Sequence, residues 1–350
     1  MIRNAAVTPL VAVSAGVLAL VLVLAALGYD PAQALATLVN GAFGSWYAFS
    51  SSTLVRATPL ILLGLGFGLA FRGGALNIGM EGQFLVGAIA ATWVGVTVDR
   101  WPAPAAVAAT WALAVVAGMF WVSIPILLKL RYGVLEVITT LLLNFVAAAV
   151  VSWMVQGPLQ EARRSYPQSD LIAEAARLPM LPGTRLHLGF GLVLVVAGIL
   201  HTMFRSTVWG IQLRAVGLGP RAAWMTGRIH VARVSALALL ASGALAGLGG
   251  ALEIGGVTWA LYQNLSPGYG FTAIAVALLG RGSPLAIVGT GLLFGALQAG
   301  AGAMQREAGI PAVAVAVVQG TIILVVLLAE STLRRRRRLA VIPADVPDPK

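Results

Sequence analysis

The chain has 350 residues, of which 59% are hydrophobic and 10% charged, against roughly a quarter charged in an ordinary soluble domain. With a mean hydropathy of +0.91, there is too little polar surface to cover a water-soluble globule, so lipid is the solvent for most of the chain. The formal charge of +11 does not read as a nucleic-acid surface, because the Arg residues sit at the ends of apolar runs and in loops instead of along one polar helix face.

About ten apolar runs of spanning character follow one another, which predicts an all-α, polytopic transmembrane helical bundle with one or more broken or re-entrant segments. The start, Met1-Ile2-Arg3 followed by an apolar run, is read as an uncleaved first helix, Pro9 to Leu27. Next come Ala57 to Phe71, Gln83 to Val98, Ala103 to Leu128, Val134 to Val155 and Leu188 to Phe204. The last four are Val234 to Leu252, Phe271 to Gly280, Leu285 to Ala303 and Ile310 to Ala329. Phe271 to Gly280 is too short for a simple crossing and Ala57 to Phe71 marginally so; interrupted segments survive at membrane depth only against protein or a wet cavity, which is where a transport path runs.

Orientation follows from the cations. With the N-terminus inside, 16 of the 23 Lys and Arg residues fall inside, and Arg56, Arg100, Arg163, Arg164, Arg177, Arg185 and Arg306 fall outside. That split favours this topology over its mirror image, with both termini cytoplasmic. Residues 1–333 form the membrane domain and 334–350 a basic cytoplasmic tail, whose run Arg334 to Arg338 is a stop at the anionic inner leaflet. Segment 156–187, outside, is either a structured cap or a mobile loop, and segment 205–233, inside, carries five Arg and no acidic residue, as a soluble partner's docking loop would.

Catalytic chemistry is poorly represented. Cysteine is absent, and His187, His201 and His230 are scattered without metal-ligand spacing. The only lysines, Lys129 and Lys350, lie outside any Gly-Lys-[Ser/Thr] phosphate loop. No cofactor or metal is expected in this chain. Gly64 with Gly68, Gly243 with Gly247, and Gly291 with Gly295 have the small-xxx-small spacing of close helix contacts in lipid.

Polar residues in or beside the runs are the sharper signal, since burying them unpartnered in hydrocarbon costs several kcal/mol. Asn77, Glu81 and Gln83 occupy a glycine-interrupted joint between two runs. Glu136, Thr139, Thr140 and Asn144 share one helix face, as a path lining or, for Glu136, as an anchor near Arg131 at the inner surface. Glu253, Tyr262, Gln263, Asn264, Tyr269 and Phe271 cluster around the broken segment. Aromatic faces beside amides suit a planar or ring-shaped polar solute, while an interfacial aromatic belt accounts equally for Trp259 and Tyr262.

Four blocks resemble the membrane subunits of ATP-binding-cassette importers, in the branch that handles ribose-like sugars, branched-chain amino acids and nucleosides. They are residues 74–83 (GALNIGMEGQ), 135–144 (LEVITTLLLN), 215–223 (AVGLGPRAA, followed by Gly227) and 268–280 (GYGFTAIAVALLG). The wording of the first block looks most like the nucleoside-type permeases. The resemblance implies a bacterial inner-membrane permease, paired with an identical or a homologous second permease subunit. Its ATP and Mg would sit on a partner cytoplasmic ATPase, and an external solute-binding protein would deliver the small-molecule substrate. It also places Gly217, Pro220, Ala222 and Ala223 in the short cytoplasmic helix that enters a cleft on the ATPase, with Arg221 beside them. Gly219 stands where the family often has Asn, so one helix-capping contact is missing. The rival is a secondary transporter driven by an ion gradient, with Glu81, Glu136 or Glu253 as a proton relay.

Overall fold

The computed structural model describes residues 20–311, together with 14, 18, 313, 316, 317 and 320. Most of the expected span Ile310 to Ala329, nearly all of residues 9–19, Glu330 and the basic tail lie outside the described residues. The chain divides into two units, residues 42–299 and residues 1–41 with 300–350.

Helices run Pro31–Phe43 (α1), Trp46–Arg72 (α2), Met80–Gly95 (α3), Ala103–Tyr132 (α4), Glu136–Val155 (α5), Gly189–Ser206 (α6), Val208–Leu218 (α7), Pro220–Met225 (α8), Val231–Glu253 (α9), Tyr269–Leu279 (α10) and Pro284–Glu307 (α11). Among the described residues, α2, α4, α5, α6, α9 with its terminal turn, and α11 are long and apolar enough to cross a membrane. The chain is thus an all-helical, multi-pass membrane protein, and the short α10, 11 residues, falls where an interrupted segment was expected.

Two expectations change. The run starting at Ala57 is not marginal, because α2 begins at Trp46 and is 27 residues long. Its first part, Phe49–Leu54, is a π-helical turn rich in Ser and Thr. The Ser50 hydroxyl donates to the Trp46 carbonyl at 2.7 Å and the Thr53 hydroxyl to the Ala42 carbonyl at 2.9 Å, so polar side chains are satisfied by the backbone and the helix continues through them. Arg56, assigned to an outer loop, consequently lies inside α2 and drops out of the orientation tally. The helix α1, with Gln33, Thr37 and Asn40, is absent from the expected spans because it is short and partly polar.

The sequence of α2 is apolar on every side, and from Val55 to Ala70 all its residues except Arg56 are buried, so it is a central helix of its unit. The peripheral α4 buries Ala106, Thr110, Ala114, Gly118, Val122 and Ile126, a ridge of small residues at intervals of four. Its opposite side exposes Val116, Phe120 and Leu127. On α5 the inward stripe is Glu136, Thr140, Asn144, Ala147, Val151 and Val155, while Leu142 and Trp153 face outward. Large side chains toward lipid and small or polar ones toward protein is the pattern of a helix in hydrocarbon.

Small residues decide where the backbones meet. A Cβ on Gly247 of α9 would enter the Ala114 and Gly118 main chain of α4, and a Cβ on Gly87 of α3 would in turn enter the Gly247 backbone. Gly243 meets the Gly118 carbonyl in the same crossing. The pair Gly291 and Gly295 packs on Ile61, Ala57 and the Thr53 carbonyl of α2, and Gly64 and Gly68 pack on Ile287.

Segment 156–187 is a structured cap rather than a loose loop. Its backbone bonds to the unwound end of α9: Ser169 N to Leu261 O, Ile172 N to Trp259 O and Leu178 N to Gly255 O, each 2.8 Å. The expected belt residue Trp259 instead closes the π-helical turn Ile254–Thr258 in a left-handed conformation, φ 58°, with the Arg177 guanidinium 5.0 Å from its ring centre. His187 is buried beside Gly256 and Gly189, and burial pushes its imidazole down to about 4, so it is neutral in the folded cap.

Candidate functional site

The site grows from the joint between α2 and α3. After Leu69 the helix ends with Gly73 N bonded to Leu69 O, Gly74 at φ 74° with its N bonded to Phe71 O, and Ala75 N bonded to Ala70 O. These bonds close the last carbonyls of α2 and turn the chain sharply into α3. Asn77, Glu81 and Gln83 therefore lie within one turn or so of the α3 N-terminus and point to different neighbours.

Asn77 and Gln83 face α9. Their amides pair reciprocally, Asn77 Nδ2 to Gln83 Oε1 and Gln83 Nε2 to Asn77 Oδ1, both 2.9 Å. Asn77 Nδ2 also donates to Ser242 Oγ at 2.8 Å, and Asn77 Oδ1 accepts from Gly79 N at 3.0 Å. Asn77 and Ser242 are fully buried and Gln83 nearly so. This network holds α3 on α9 without reaching a cavity. Ser242 carries no sequence signal beyond its place in a small-residue stretch.

Glu81 faces the other way. Its Oε2 accepts the Gly270 N–H at 2.6 Å, so the carboxylate sits at the N-terminus of α10, where helix N–H groups favour negative charge. Gly270 is required there, since a Cβ would meet the Glu81 Cα at 2.6 Å. Asn144 of α5 closes the joint from a third side, its Oδ1 accepting Gly82 N at 2.8 Å and its Nδ2 donating to Ile78 O at 2.9 Å.

Between these elements lies a cavity of about 210 Å³, lined by Glu81, Leu85, Asn144, Phe145, Ala148 and the segment Gln263 to Ser266 with Phe271. Of the residues expected to form a substrate path, it brings together Glu81, Asn144 and Phe271. Ser266, not among the expected site residues, anchors the loop: its Oγ accepts from Gly268 N at 3.1 Å and Tyr269 N at 3.0 Å. The Ser-Pro-Gly run ahead of the broken segment was the signal for such a turn. Phe145 and Leu85, equally unexpected, are apolar walls that look like ordinary lipid or core residues in the sequence.

The remaining path candidates lie elsewhere. Tyr269 is buried with its ring edge-on to Phe84, centroids 5.9 Å apart. Glu253, buried at the end of α9, has Arg56, Tyr262 and Tyr269 as electrostatic neighbours; burial and Glu253 push the Tyr262 phenol up. Glu136 is at the far end of α5 and takes Lys129 Nζ at 2.7 Å, so its partner is Lys129 where the sequence suggested Arg131. Thr139 is off the buried stripe, and its hydroxyl bonds back to Glu136 O at 3.1 Å.

In segment 205–233, Gly217 abuts the Arg72 carbonyl at the end of α2, and Pro220 begins α8. Gly219 precedes it without a side-chain cap, as the missing Asn implies. Arg221 and Ala222 are exposed, whereas Ala223 is buried. Leu218, Trp224 and Met225 are also exposed, between 68% and 80%, an apolar surface on a polar segment of the kind that marks a contact site.

Residues 49–327 match the family described as branched-chain amino acid transport system / permease component. The chain belongs to this permease family. It is 37% identical to the glucose ABC transporter permease protein TsgB13 of Haloferax volcanii, over 95% of this chain and 89% of that one. It is 38% identical to the guanosine ABC transporter permease protein NupP of Bacillus subtilis, over 91% and 92%, and 33% identical to the nucleoside ABC transporter permease protein NupB of Lactococcus lactis subsp. cremoris, over 90% and 88%. No solved structure matches. These relatives are transport components.

Proposed function

We propose that the chain is the permease subunit of an ATP-driven importer and that it carries nucleosides or a related simple sugar. The observation that carries this reading is the cavity at the broken segment. There a carboxylate, Glu81, and the amides of Asn144, Gln263 and Asn264 converge with the Phe271 ring in a space sized for one small solute. Apolar walls with a few placed polar groups are the form of a small-molecule site. Relatives named for guanosine, nucleosides and glucose point to the same class of neutral, ring-bearing, hydroxylated solute.

In this reading both termini are cytoplasmic in a bacterial inner membrane, segment 156–187 faces outward toward a solute-binding protein, and α8 faces an ATPase. The exposed Trp224 and Met225, with Arg221 and Ala222, form the coupling surface; Gly217 lets α7 pack on the end of α2, so a push on α8 reaches the helix that leads into the α3 joint. ATP binding shifts the access state through its differential affinity for the two conformations. A second permease subunit completes the pathway.

The test is reconstitution with the ATPase and binding protein in liposomes. ATP-dependent nucleoside uptake is expected, and Ala222→Glu should abolish it while leaving the unfolding midpoint unchanged. Ala223 is unsuited to this test because its burial ties it to packing. Uptake that continues with a hydrolysis-dead ATPase and collapses with an uncoupler would overturn the reading in favour of an ion-driven transporter.

A further inference from the structure

The cavity's polar groups are not equally spent. Asn144 uses both ends of its amide on α3, and Ser266 accepts two backbone N–H groups. Gln263 donates its Nε2 to Ser152 Oγ at 3.0 Å. Glu81 takes Gly270 N on Oε2 and has the Ser266 hydroxyl as its other donor, although a carboxylate offers about four acceptor positions. What remains at the wall is the spare acceptor capacity of one carboxylate together with the Asn264 amide, unbonded among the described residues, beside the flat ring of Phe271 and the apolar Phe145, Leu85 and Ala148.

The carboxylate is the group here that selects by sign, since the Asn264 amide can turn either its oxygen or its nitrogen to a solute. A base that presents two adjacent N–H donors forms a paired, charge-assisted contact with a carboxylate. Uracil and thymine present one N–H between two carbonyls, and facing a carboxylate with that edge sets oxygen against oxygen. Hypoxanthine has the ring N–H without the exocyclic amine. Guanine has both, side by side. A site that hydrogen-bonds a donor rejects the analogue lacking it, because its own buried acceptor is then left unpaired.

We infer that Glu81 reads the base edge, and that the cavity prefers a nucleoside carrying an amino group adjacent to a ring N–H, guanosine above inosine and both above uridine. The inference rests on the nucleoside reading above and adds to it the selecting atom. The Glu81 carboxylate is held in place by the α10 N-terminus through Gly270, so it is oriented before solute arrives. Phe271, 44% exposed, supplies a stacking face that every base shares and therefore contributes affinity without choice among bases.

The experiment uses the assembled transporter with its ATPase and binding protein in liposomes, comparing uptake of guanosine, inosine and uridine by wild type and by Glu81→Gln. The binding protein's own selectivity cancels in the ratio of the two permeases. Glutamine retains an acceptor for Gly270 N but lacks the charge. The guanosine-to-inosine uptake ratio should fall about tenfold in the variant, the difference between a charge-assisted and a neutral hydrogen bond. An unchanged ratio, or an equal loss for all three solutes, would overturn the role of Glu81 and leave nucleoside import standing. No nucleoside uptake by the wild type would overturn both. If Glu81→Gln does not assemble, direct binding to the wild-type permease–ATPase complex without the binding protein decides: guanosine should bind more tightly than inosine, and equal affinities would overturn the inference.

Discussion

The two flanks of α3 carry similar residues and do opposite things. On the flank facing α9, the Asn77 and Gln83 amides and the Ser242 hydroxyl bond to one another, and about one turn further on Gly87, Gly118 and Gly247 bring three backbones together. On the flank facing α5 and the 263–271 segment, Glu81 and Asn264 border a cavity with acceptors to spare. A buried polar residue whose partners are all supplied by the protein is a fastening; one with capacity left over can receive a solute. The difference lies in the count of partners, which residue type alone does not reveal.

Substitutions on the closed flank should cost stability, and those on the open flank should change transport. The largest effect is expected from Gly247→Val, where the added carbons would meet the Ala114 carbonyl and the Gly118 Cα. Helix backbones cannot yield as side chains do, so a loss of roughly 3 kcal/mol or more is expected, seen as loss of monodisperse protein after detergent extraction. Retention of a wild-type unfolding midpoint would show that the crossing is looser than described. Next is Asn77→Leu, which strands the Gln83 amide in a buried site and leaves the Ser242 hydroxyl only Met80 Sδ as a partner. Leaving such groups unpaired costs about 1–3 kcal/mol, and thermal unfolding should register it whether or not solute is present.

A pH effect should appear in the cap. His187 titrates at about 4 when folded against 6.5 when unfolded, because burial disfavours its charged form. The unfolded cap thus binds the extra proton first: stability is complete above about pH 6.5, declines as pH falls toward 4 and levels off below. The loss is at most about 3 kcal/mol, and proteolysis of segment 156–187 should accelerate between those limits in the wild type but not in His187→Phe. The smallest stability change belongs to Asn264→Ala on the open flank. This exposed amide makes no hydrogen bond among the described residues, so unfolding should move by under about 0.5 kcal/mol while the KM for solute rises. A stability loss matching that of Asn77→Leu would erase the contrast between the flanks.

Much of this was legible in the chain. The apolar runs marked the α4, α5, α6, α9 and α11 helices within a few residues, since hydrocarbon demands an unbroken stretch of apolar side chains on an internally bonded backbone. The shortness of α10 was equally readable. The start of α2 was not, because Ser50, Ser51, Ser52 and Thr53 look like a loop until the Ser50 and Thr53 hydroxyls are seen bonded to backbone carbonyls. That same error placed Arg56 outside the helix. The reciprocal Asn77 and Gln83 pair needed Ser242, 165 residues further along, before its role could be told from that of Glu81.

By itself the sequence determined that the protein lives in lipid and that it is helical, and it marked the α2–α3 joint and the broken segment as interruptions between apolar runs. Those properties are written in composition, in local periodicity and in short contiguous blocks. Only the tertiary structure decided which polar side chains are fastenings and which face open space, since hydrogen-bond saturation depends on partners brought from distant helices. The glycine crossings made that division possible: where a side chain is absent, α3, α4 and α9 come close enough to seal one flank of α3, and the cavity survives on the other.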